Sequence, residues 1–167
     1  LINNSGDSDY ISGMILFDDT IRQKTAGGRP FPDVLAKKGI MPGIKVDAGA
    51  KDLAGHTSEK VTEGLDGLRD RLSEYKSLGA KFAKWRAGIT IGDKIPSTAC
   101  IEANAHALAR YAGLCQEAGI VPMIEPEVLM DSDNTIERCF AITETTLHTV
   151  FNELSRQDIA LEHTILK

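Results

Sequence analysis

The sequence contains few of the features that mark metal-binding, membrane or nucleic-acid-binding proteins. Its four histidines and three cysteines are scattered, and no CxxC, HxxH or HExxH spacing occurs, so no metal site is predicted. No apolar run approaches the roughly 18–20 residues that span a membrane. The opening stretch, LINNSGDSDY, lacks the basic and apolar regions of a secretory signal. A net charge of -5 argues against a nucleic-acid partner.

The composition indicates one globular domain over residues 1–167. Hydrophobic residues make up 42% and charged residues 26%, and no linker or low-complexity tract divides the chain. Cys100, Cys115 and Cys139 are odd in number, and two of them fall inside helical patterns. We interpret them as reduced thiols of a cytoplasmic protein. Net charge does not describe a single pocket, so a local cluster of Lys and Arg that binds a small phosphate remains open.

Short apolar runs alternate with long amphipathic segments along the chain. The runs predicted as strands are 12–17, 41–46, 80–85, 120–126 and 159–166. Successive runs begin about 30 to 40 residues apart, which is too far for hairpins and suits strand–helix–strand units. Five strands joined by crossovers predict a parallel sheet flanked by helices.

Three long helices are predicted between these strands. The first covers 59–78, with apolar residues at every third or fourth position, and ends at Gly79. The second begins after Ser97, a plausible N-cap, and stops at Gly119. The third runs over about 135–157. Its predicted buried side consists of Ile136, Phe140, Leu147, Val150 and Leu154.

Two architectures fit this pattern, an open doubly wound sheet and a (β/α) barrel. Neither GxGxxG nor GxxxxGK[ST] follows a strand, so the phosphate loops of nucleotide-binding open sheets are absent from the sequence. Barrel enzymes place catalytic groups at the C-terminal ends of several strands, around one mouth. The charged residues at predicted strand ends are Lys45, Asp47, Lys84, Arg86, Glu125, Glu127 and Lys167. We therefore predict five units of a barrel that normally needs about 250 residues.

Charged side chains at the ends of buried strands have two interpretations. They can form internal ion pairs that lock the rim of the barrel, or they can line an active site at its mouth. Three lysines, one arginine and three carboxylates suit an anionic, phosphorylated substrate and acid–base chemistry. A lysine crowded by cations can also attack a carbonyl and form a Schiff base, whose iminium withdraws electrons from a neighbouring bond. This chemistry requires no metal.

Four segments then carry a resemblance to a known family: GIKVDAG, GLDGLRDRLSEYKSLGAKFAKWRA, ANAHALARYAGLCQEAGIVPMIEPEVL and LEHTILK. They resemble the class I (Schiff-base) fructose-1,6-bisphosphate aldolases over about residues 13–167. The resemblance implies a (β/α)8 TIM barrel, here from its second to its sixth strand. It also implies a lyase of glycolysis and gluconeogenesis that splits fructose 1,6-bisphosphate reversibly into dihydroxyacetone phosphate and glyceraldehyde 3-phosphate, without a metal or other cofactor.

The resemblance assigns catalytic roles to four residues. Lys167, in LExTxLK, matches the Schiff-base lysine of the family. Glu125, the first acid of EPE, matches the general acid–base that handles loss of water from the carbinolamine. Glu127, the second acid, matches a neighbour that positions the active-site lysine. Lys84 matches a cationic partner of the substrate, close to the Schiff-base lysine.

The remaining matches concern substrate binding and packing. Lys45 and Arg86 match residues that hold a substrate phosphate, and the planar guanidinium of arginine is well suited to that contact. Trp85 is interpreted as packing, and His163, where the family usually has glycine, is not predicted to be catalytic. The resemblance also implies a homotetramer.

Some parts of the family's pattern are not found in these residues. They are the first strand, with an aspartate that assists C–C cleavage, and the last two strands, with the other phosphate site. We therefore expect either that these residues belong to a longer chain or that the chain is broken next to Lys167. Two alternatives stay open: a Schiff-base aldolase for another ketose phosphate, and a non-catalytic binding scaffold.

Overall fold

The main sheet consists of five parallel strands that follow one another in chain order. The computed structural model describes residues 9–167, so the first eight residues of the predicted domain, and most of the LINNSGDSDY stretch, lie outside it. The strands are β1 (Gly13–Leu16), β2 (Met41–Lys45), β3 (Ala50–Asp52), β4 (Lys60–Thr62), β5 (Phe82–Ile89), β6 (Val121–Val128) and β7 (Ile165–Leu166). The main sheet has the order β1-β2-β5-β6-β7, and β3 pairs with β4 as a separate antiparallel hairpin.

Helices connect the strands of the main sheet. They are α1 (Asp18–Ile21), α2 (Phe31–Lys37), α3 (Leu68–Ser77), α4 (Thr98–Glu117) and α5 (Ile136–Arg156). The parallel pairing and the sequential strand order confirm the predicted β/α architecture of a partial barrel. Within residues 9–167 the sheet is open and does not close on itself.

The predicted N-cap of the second long helix is confirmed. The hydroxyl oxygen of Ser97 accepts the N–H of Cys100 at 3.1 Å and so satisfies a donor in the first turn of α4. The N–H of Ser97 itself donates to the buried carboxylate of Glu59 at 2.6 Å. These bonds fix the start of α4 at the residue that the sequence predicts.

The predicted helix over 59–78 is wrong in its first part. Lys60–Thr62 is a strand, and the helix starts only at Leu68. The segment is held extended by tertiary hydrogen bonds: the Thr62 N–H donates to the side-chain oxygen of Asn104, and the Thr62 hydroxyl donates to the carbonyl of Arg86. These bonds override an apolar spacing that happens to suit a helix.

Two further expectations are wrong in part. The predicted strand 159–166 is reduced to two residues, because Leu161–His163 forms a turn of 3₁₀ helix. On α5, Val150 and Leu154 are buried as predicted, whereas Ile136 is 80% and Phe140 is 67% exposed. Periodicity identifies an apolar stripe on a helix, but it does not show which neighbour covers each turn of that stripe.

The sheet separates an apolar layer from a charged face. Ala83 and Trp85 of β5 are fully buried with Tyr111 of α4 in the core between sheet and helices. On the other face of β5, the ring of Phe82 lies over Gly43, its register partner on β2. A Cβ atom at Gly43 would lie 2.3 Å from a ring atom of Phe82, so any larger residue there would force the ring to move.

Candidate active site

The strand register brings the predicted site residues to one face of the sheet. Lys45 on β2 is opposite Lys84 on β5, and Arg86 on β5 is opposite Glu125 on β6. Lys167 follows β7, and its N–H donates to the carbonyl of Ile124 at 2.9 Å. Since paired residues of parallel strands point to the same side, these charged groups lie near the C-terminal ends of neighbouring strands.

Glu125 is the centre of the group. The residue is only 3% exposed, and its two carboxylate oxygens contact two different lysines. Oε2 lies 2.5 Å from the Nζ of Lys84, and Oε1 accepts a hydrogen bond from the Nζ of Lys167. The Lys84 side chain is 14% and the Lys167 side chain 55% exposed. The carboxylate is thus shared between an enclosed amine and an accessible one.

The environment keeps Glu125 ionised at neutral pH. Burial acts to raise the pKa of its carboxyl group. Hydrogen bonds and charge interactions with Lys167 and Lys84 act in the opposite direction and hold the pKa below its ordinary value. The carboxylate is therefore available at neutral pH to accept a proton.

A second ion pair lies beside the first, on β2 and the loop after it. The Nζ of Lys45 lies 2.5 Å from Oδ1 of Asp47, whose side chain is almost fully buried. Asp47 also accepts the N–H of Gly49 at 3.1 Å and that of Arg86 at 3.3 Å. The sequence analysis counts Asp47 among the charged strand-end residues, because it lies two residues after Lys45 on the same face of the strand, but the family resemblance assigns it no role.

The outermost pair joins Arg86 and Glu127. The Nε of Arg86 donates to Oε2 of Glu127, and both side chains are partly exposed. Among the described residues, Glu127 thus forms its ion pair with Arg86 rather than with Lys167. The role of Glu127 in positioning the lysine stays a prediction. The site thus contains four ion pairs, in which three carboxylates hold four cations.

Other predicted features concern the rest of the described chain. Across residues 9–167, no group of three or more His, Cys, Asp or Glu side chains is arranged to hold a metal ion. None of the helices in that range is long and apolar enough to cross a bilayer. All three cysteines are free thiols, and Cys100 and Cys115 are buried. Burial raises the pKa of the Cys100 thiol to about 11, so it stays protonated at neutral pH.

The geometry suits chemistry at a carbonyl group. An accessible amine, a buried ionised carboxylate in contact with it and a second amine on that carboxylate are the groups that imine formation uses. The amine supplies the nucleophile, and the carboxylate can accept and return the proton. Lys45 and Arg86, on neighbouring strands, add positive charge at the same face, where an anionic substrate could bind.

Comparison with known proteins gives one consistent result. A family model described as "Fructose-bisphosphate aldolase class-I" matches residues 1–167. The "Probable fructose-bisphosphate aldolase class 1" of Xanthomonas campestris pv. campestris is 66% identical over 160 residues, which are 96% of this chain and 48% of that protein. The "Fructose-bisphosphate aldolase 4, cytosolic" of Arabidopsis thaliana is 50% identical over all of this chain and 42% of its own length.

A solved structure agrees with these relatives. The fructose-bisphosphate aldolase of Plasmodium falciparum, crystallised with TRAP and a small-molecule inhibitor, superimposes with a TM-score of 0.96 at 41% identity. The match covers 99% of this chain and 48% of that one. The chain thus spans about half the length of the relatives that it matches.

Proposed function

The chain belongs to the family of class I fructose-bisphosphate aldolases, and we propose that the protein cleaves fructose 1,6-bisphosphate reversibly into dihydroxyacetone phosphate and glyceraldehyde 3-phosphate. The observation that carries the proposal is the buried carboxylate of Glu125, shared between Lys84 and Lys167. If Glu125 only formed an internal ion pair at the rim of the barrel, one cation would be enough to neutralise its carboxylate. A second, accessible lysine on the same carboxylate supports a reactive amine instead.

Lys167 is the nucleophile in this proposal. Glu125 accepts one proton from the Lys167 ammonium group, and the free amine attacks the ketone carbon of the sugar while Glu125 returns that proton to the ketone oxygen. Glu125 then accepts a second proton from the nitrogen of the carbinolamine and returns it to the hydroxyl, which leaves as water, and an iminium remains on Lys167. The accessible side chain of Lys167 leaves room for the substrate carbon at its nitrogen.

The iminium makes the carbon–carbon bond weak. It withdraws the electron pair of the bond between C3 and C4 while the C4 hydroxyl loses its proton to Glu125, so that one triose leaves as an aldehyde and the other stays on Lys167 as an enamine. Protonation of the enamine by Glu125 and addition of water to the resulting iminium then release the second triose and the free lysine. Lys84 remains beside Glu125 during these steps and stabilises the negative charge of the carboxylate each time it forms.

Lys45 and Arg86 are proposed to hold a substrate phosphate. Lys45 is paired with Asp47, and Arg86 is paired with Glu127. A phosphate that binds here would exchange the exposed Arg86–Glu127 pair for a charge-assisted contact with the guanidinium. This exchange releases Glu127 and allows it to approach Lys167. Its ion pair with Arg86 is therefore compatible with its predicted role of positioning the lysine.

The remaining properties are proposed from the relatives. The described residues form part of a single barrel domain, and the reaction requires no metal or other cofactor, as the Schiff-base chemistry of the family implies. Relatives named cytosolic support a cytoplasmic location. A homotetramer is carried over from the family resemblance and is tested by sedimentation of the full-length protein.

A cleavage assay on the full-length protein tests the proposal. We expect fructose 1,6-bisphosphate to be cleaved, activity to be lost when borohydride is added with dihydroxyacetone phosphate, and Lys167→Met to be inactive. Lys81→Met, which removes a lysine just before β5, is the control and should stay active. Faster cleavage of another ketose phosphate would support the alternative of a Schiff-base aldolase for that substrate. A folded full-length protein that neither cleaves a ketose phosphate nor is inactivated by borohydride would support the alternative of a non-catalytic binding scaffold.

A further inference from the structure

Tyr111 of α4 is a buried polar side chain for which the proposed reaction has no role. The residue is fully buried, and its ring packs against that of Trp85 with 5.4 Å between the ring centroids. A phenylalanine would fill the same apolar space. A buried hydroxyl is unfavourable unless it is hydrogen-bonded, so the position of its partners indicates what it contributes.

The hydroxyl of Tyr111 bridges the two central strands of the sheet. It donates to the carbonyl oxygen of Ala83 on β5 at 2.6 Å. It also accepts the N–H of Met123 on β6 at 3.2 Å. Burial raises the pKa of this phenol well above its ordinary value, so the proton that it donates to Ala83 is retained throughout the pH range of an enzyme assay.

The bridge lies at the level of the catalytic ion pair. Ala83 directly precedes Lys84, and Met123 is the register partner of Lys84 on the neighbouring strand. Glu125 lies two residues beyond Met123, on the same face of β6 as Met123. The Tyr111 hydroxyl therefore links the backbones of β5 and β6. This link lies beside the place where the Lys84 and Glu125 side chains contact each other across the two strands.

We propose that the hydroxyl of Tyr111 is a positioning group, which holds β5 and β6 in the arrangement that brings the amine of Lys84 to the carboxylate of Glu125. This inference rests on the aldolase function proposed above. Tyr111 itself touches no reacting atom, because it lies in the core between the sheet and α4, on the opposite face of β5 from Lys84. Its effect on the reaction is transmitted through the backbones of Ala83 and Met123.

The variant Tyr111→Phe in the full-length protein separates positioning from packing. Without the hydroxyl, the carbonyl of Ala83 and the N–H of Met123 lose their bridge, and the contact between Lys84 and Glu125 is loosened. We expect kcat to fall about tenfold while KM changes less than about twofold, because the lost interaction acts on the chemical steps.

The pH profile gives a readout that packing would not change. The ionisable groups that contact Glu125 are Lys84 from β5 and Lys167 beside β7, and both act to lower its pKa. If Lys84 moves away, the pKa of Glu125 rises, and the acidic limb of the kcat profile moves to higher pH by about 0.5 unit.

Tyr75→Phe is the matched control. Tyr75 is also buried, and its hydroxyl donates to Asp18 at 2.9 Å, outside the group of strand-end charges. We expect Tyr75→Phe to lower the melting temperature while leaving kcat and the acidic limb unchanged.

A second comparison uses a protein in which Lys84 is already replaced by Met. In that background, Tyr111→Phe should change the rate less than about twofold, because coupled residues are not additive.

The possible results are distinct. Unchanged kcat and pH profile in a folded Tyr111→Phe protein overturn the inference, as does an undiminished effect in the Lys84→Met background. A wild-type protein that borohydride and dihydroxyacetone phosphate do not inactivate refutes the proposed function and the inference together. If Tyr111→Phe does not fold, 3-fluorotyrosine at position 111 replaces it, since fluorine makes the hydroxyl a stronger donor and a weaker acceptor while the ring is kept. A shift of the acidic limb in either direction then supports the inference, and an unshifted limb overturns it.

Discussion

At the scale of single residues, Glu125 shows how a charged group can be buried in this fold. An ionised carboxylate at 3% exposure is unfavourable by itself, and here two ammonium groups compensate for the lost contact with water. The same contacts leave the cluster with one more positive charge than negative. Removing the carboxylate charge would leave Lys84 and Lys167 facing each other without their shared counter-ion.

The first prediction concerns the pH dependence of stability. The unfolded chain has an ordinary pKa of 4.5 at Glu125, and the folded chain has a lower one, so the unfolded state binds the proton first as the pH falls. The stabilisation from Glu125 is therefore complete above about pH 4.5 and is lost as the pH drops through the folded-state pKa. Urea unfolding between pH 6 and pH 3 should give a shallower decline for Glu125→Gln than for the wild type.

Other carboxylates titrate over the same range, so the comparison needs a control. Glu117→Gln removes a carboxylate whose pKa is lowered by an exposed pair with Arg69. Exposed pairs contribute little, and this variant should follow the wild-type curve closely. Equal slopes for the wild type and Glu125→Gln would contradict the account of the buried cluster. In activity, Glu125→Gln should lower kcat about 100-fold, because the proposed general acid–base is removed.

The second prediction concerns phosphate recognition by Arg86. Arg86→Lys keeps the positive charge but removes the planar fork that binds two phosphate oxygens at once. We expect KM for fructose 1,6-bisphosphate to rise about tenfold with kcat changed less than about twofold, because substrate binding is weakened before the chemical step. Steady-state kinetics measure both constants.

Arg69→Lys is the control for this substitution. Arg69 pairs with Glu117 on the surface formed by α3 and α4, away from the strand ends, and its replacement should leave both constants unchanged. An Arg86→Lys protein with wild-type KM and a lowered kcat would show that Arg86 acts on the chemistry and not on phosphate binding.

At the scale of elements, the close contact between β2 and β5 depends on one glycine. The Phe82 ring occupies the space that a side chain at residue 43 would need, and it fills the interior face of the sheet below Lys45 and Lys84. The third prediction is that Gly43→Ala lowers the free energy of unfolding by about 1–3 kcal/mol, as overpacking does. Chemical denaturation followed by circular dichroism measures this change.

Gly27→Ala provides the comparison at a site without crowding. The nearest atom to a Cβ at Gly27 is the Thr25 hydroxyl oxygen at 3.8 Å, an ordinary contact. This variant should be close to the wild type. Combining Gly43→Ala with Phe82→Leu should recover part of the loss, because the smaller side chain vacates the space. A Gly43→Ala protein as stable as Gly27→Ala would refute the close packing.

Elements differ in how well the sequence predicts them, for reasons that lie in their environment. Helix α4 follows from its sequence, because Ser97 caps it and its apolar stripe is buried along its length. The hairpin of Ala50–Asp52 and Lys60–Thr62 could not be predicted, because hydrogen bonds to Asn104 and Arg86 decide its shape and come from distant parts of the chain. Local spacing carries no information about such partners.

The candidate site is predictable to a similar extent. The alternation of charged residues at strand ends predicts which side chains share a face, and the register of β5 and β6 agrees with it. It does not predict the pairing within that face. Arg86 holds Glu127 and Asp47 holds Lys45, because each pair lies within reach on the same or adjacent strands. The bridging role of the Tyr111 hydroxyl could not be predicted either, because the sequence shows only that Tyr111 lies within a helix.

At the scale of the whole molecule, the described sheet leaves apolar surface uncovered. Phe17 beyond β1 is 60% exposed, Ile165 on β7 is 42% exposed, and Phe140 on α5 is 67% exposed. Both edge strands are parallel strands, which normally lie inside a protein. The fourth prediction is that residues 1–167, studied without further chain, bind a hydrophobic dye and associate as their concentration rises.

Phe140→Lys tests where this association occurs. The substitution places a charge on the exposed apolar side of α5, and it should reduce both dye binding and the average mass in sedimentation velocity. Thr145→Lys, at another exposed position of the same helix, is the control and should change neither by much. Monomeric behaviour of the 167 residues at all concentrations would contradict the prediction.

The central claim, that Lys167 forms a Schiff base in partnership with Glu125, is tested most directly by locating the bond. The full-length protein is reduced with borohydride in the presence of labelled dihydroxyacetone phosphate, digested and mapped by mass spectrometry. We expect one labelled peptide, which contains Lys167, with much slower labelling in Glu125→Gln and none in Lys167→Met. Label on Lys84 or Lys45 in place of Lys167, or no label in the folded wild-type protein, would contradict the claim.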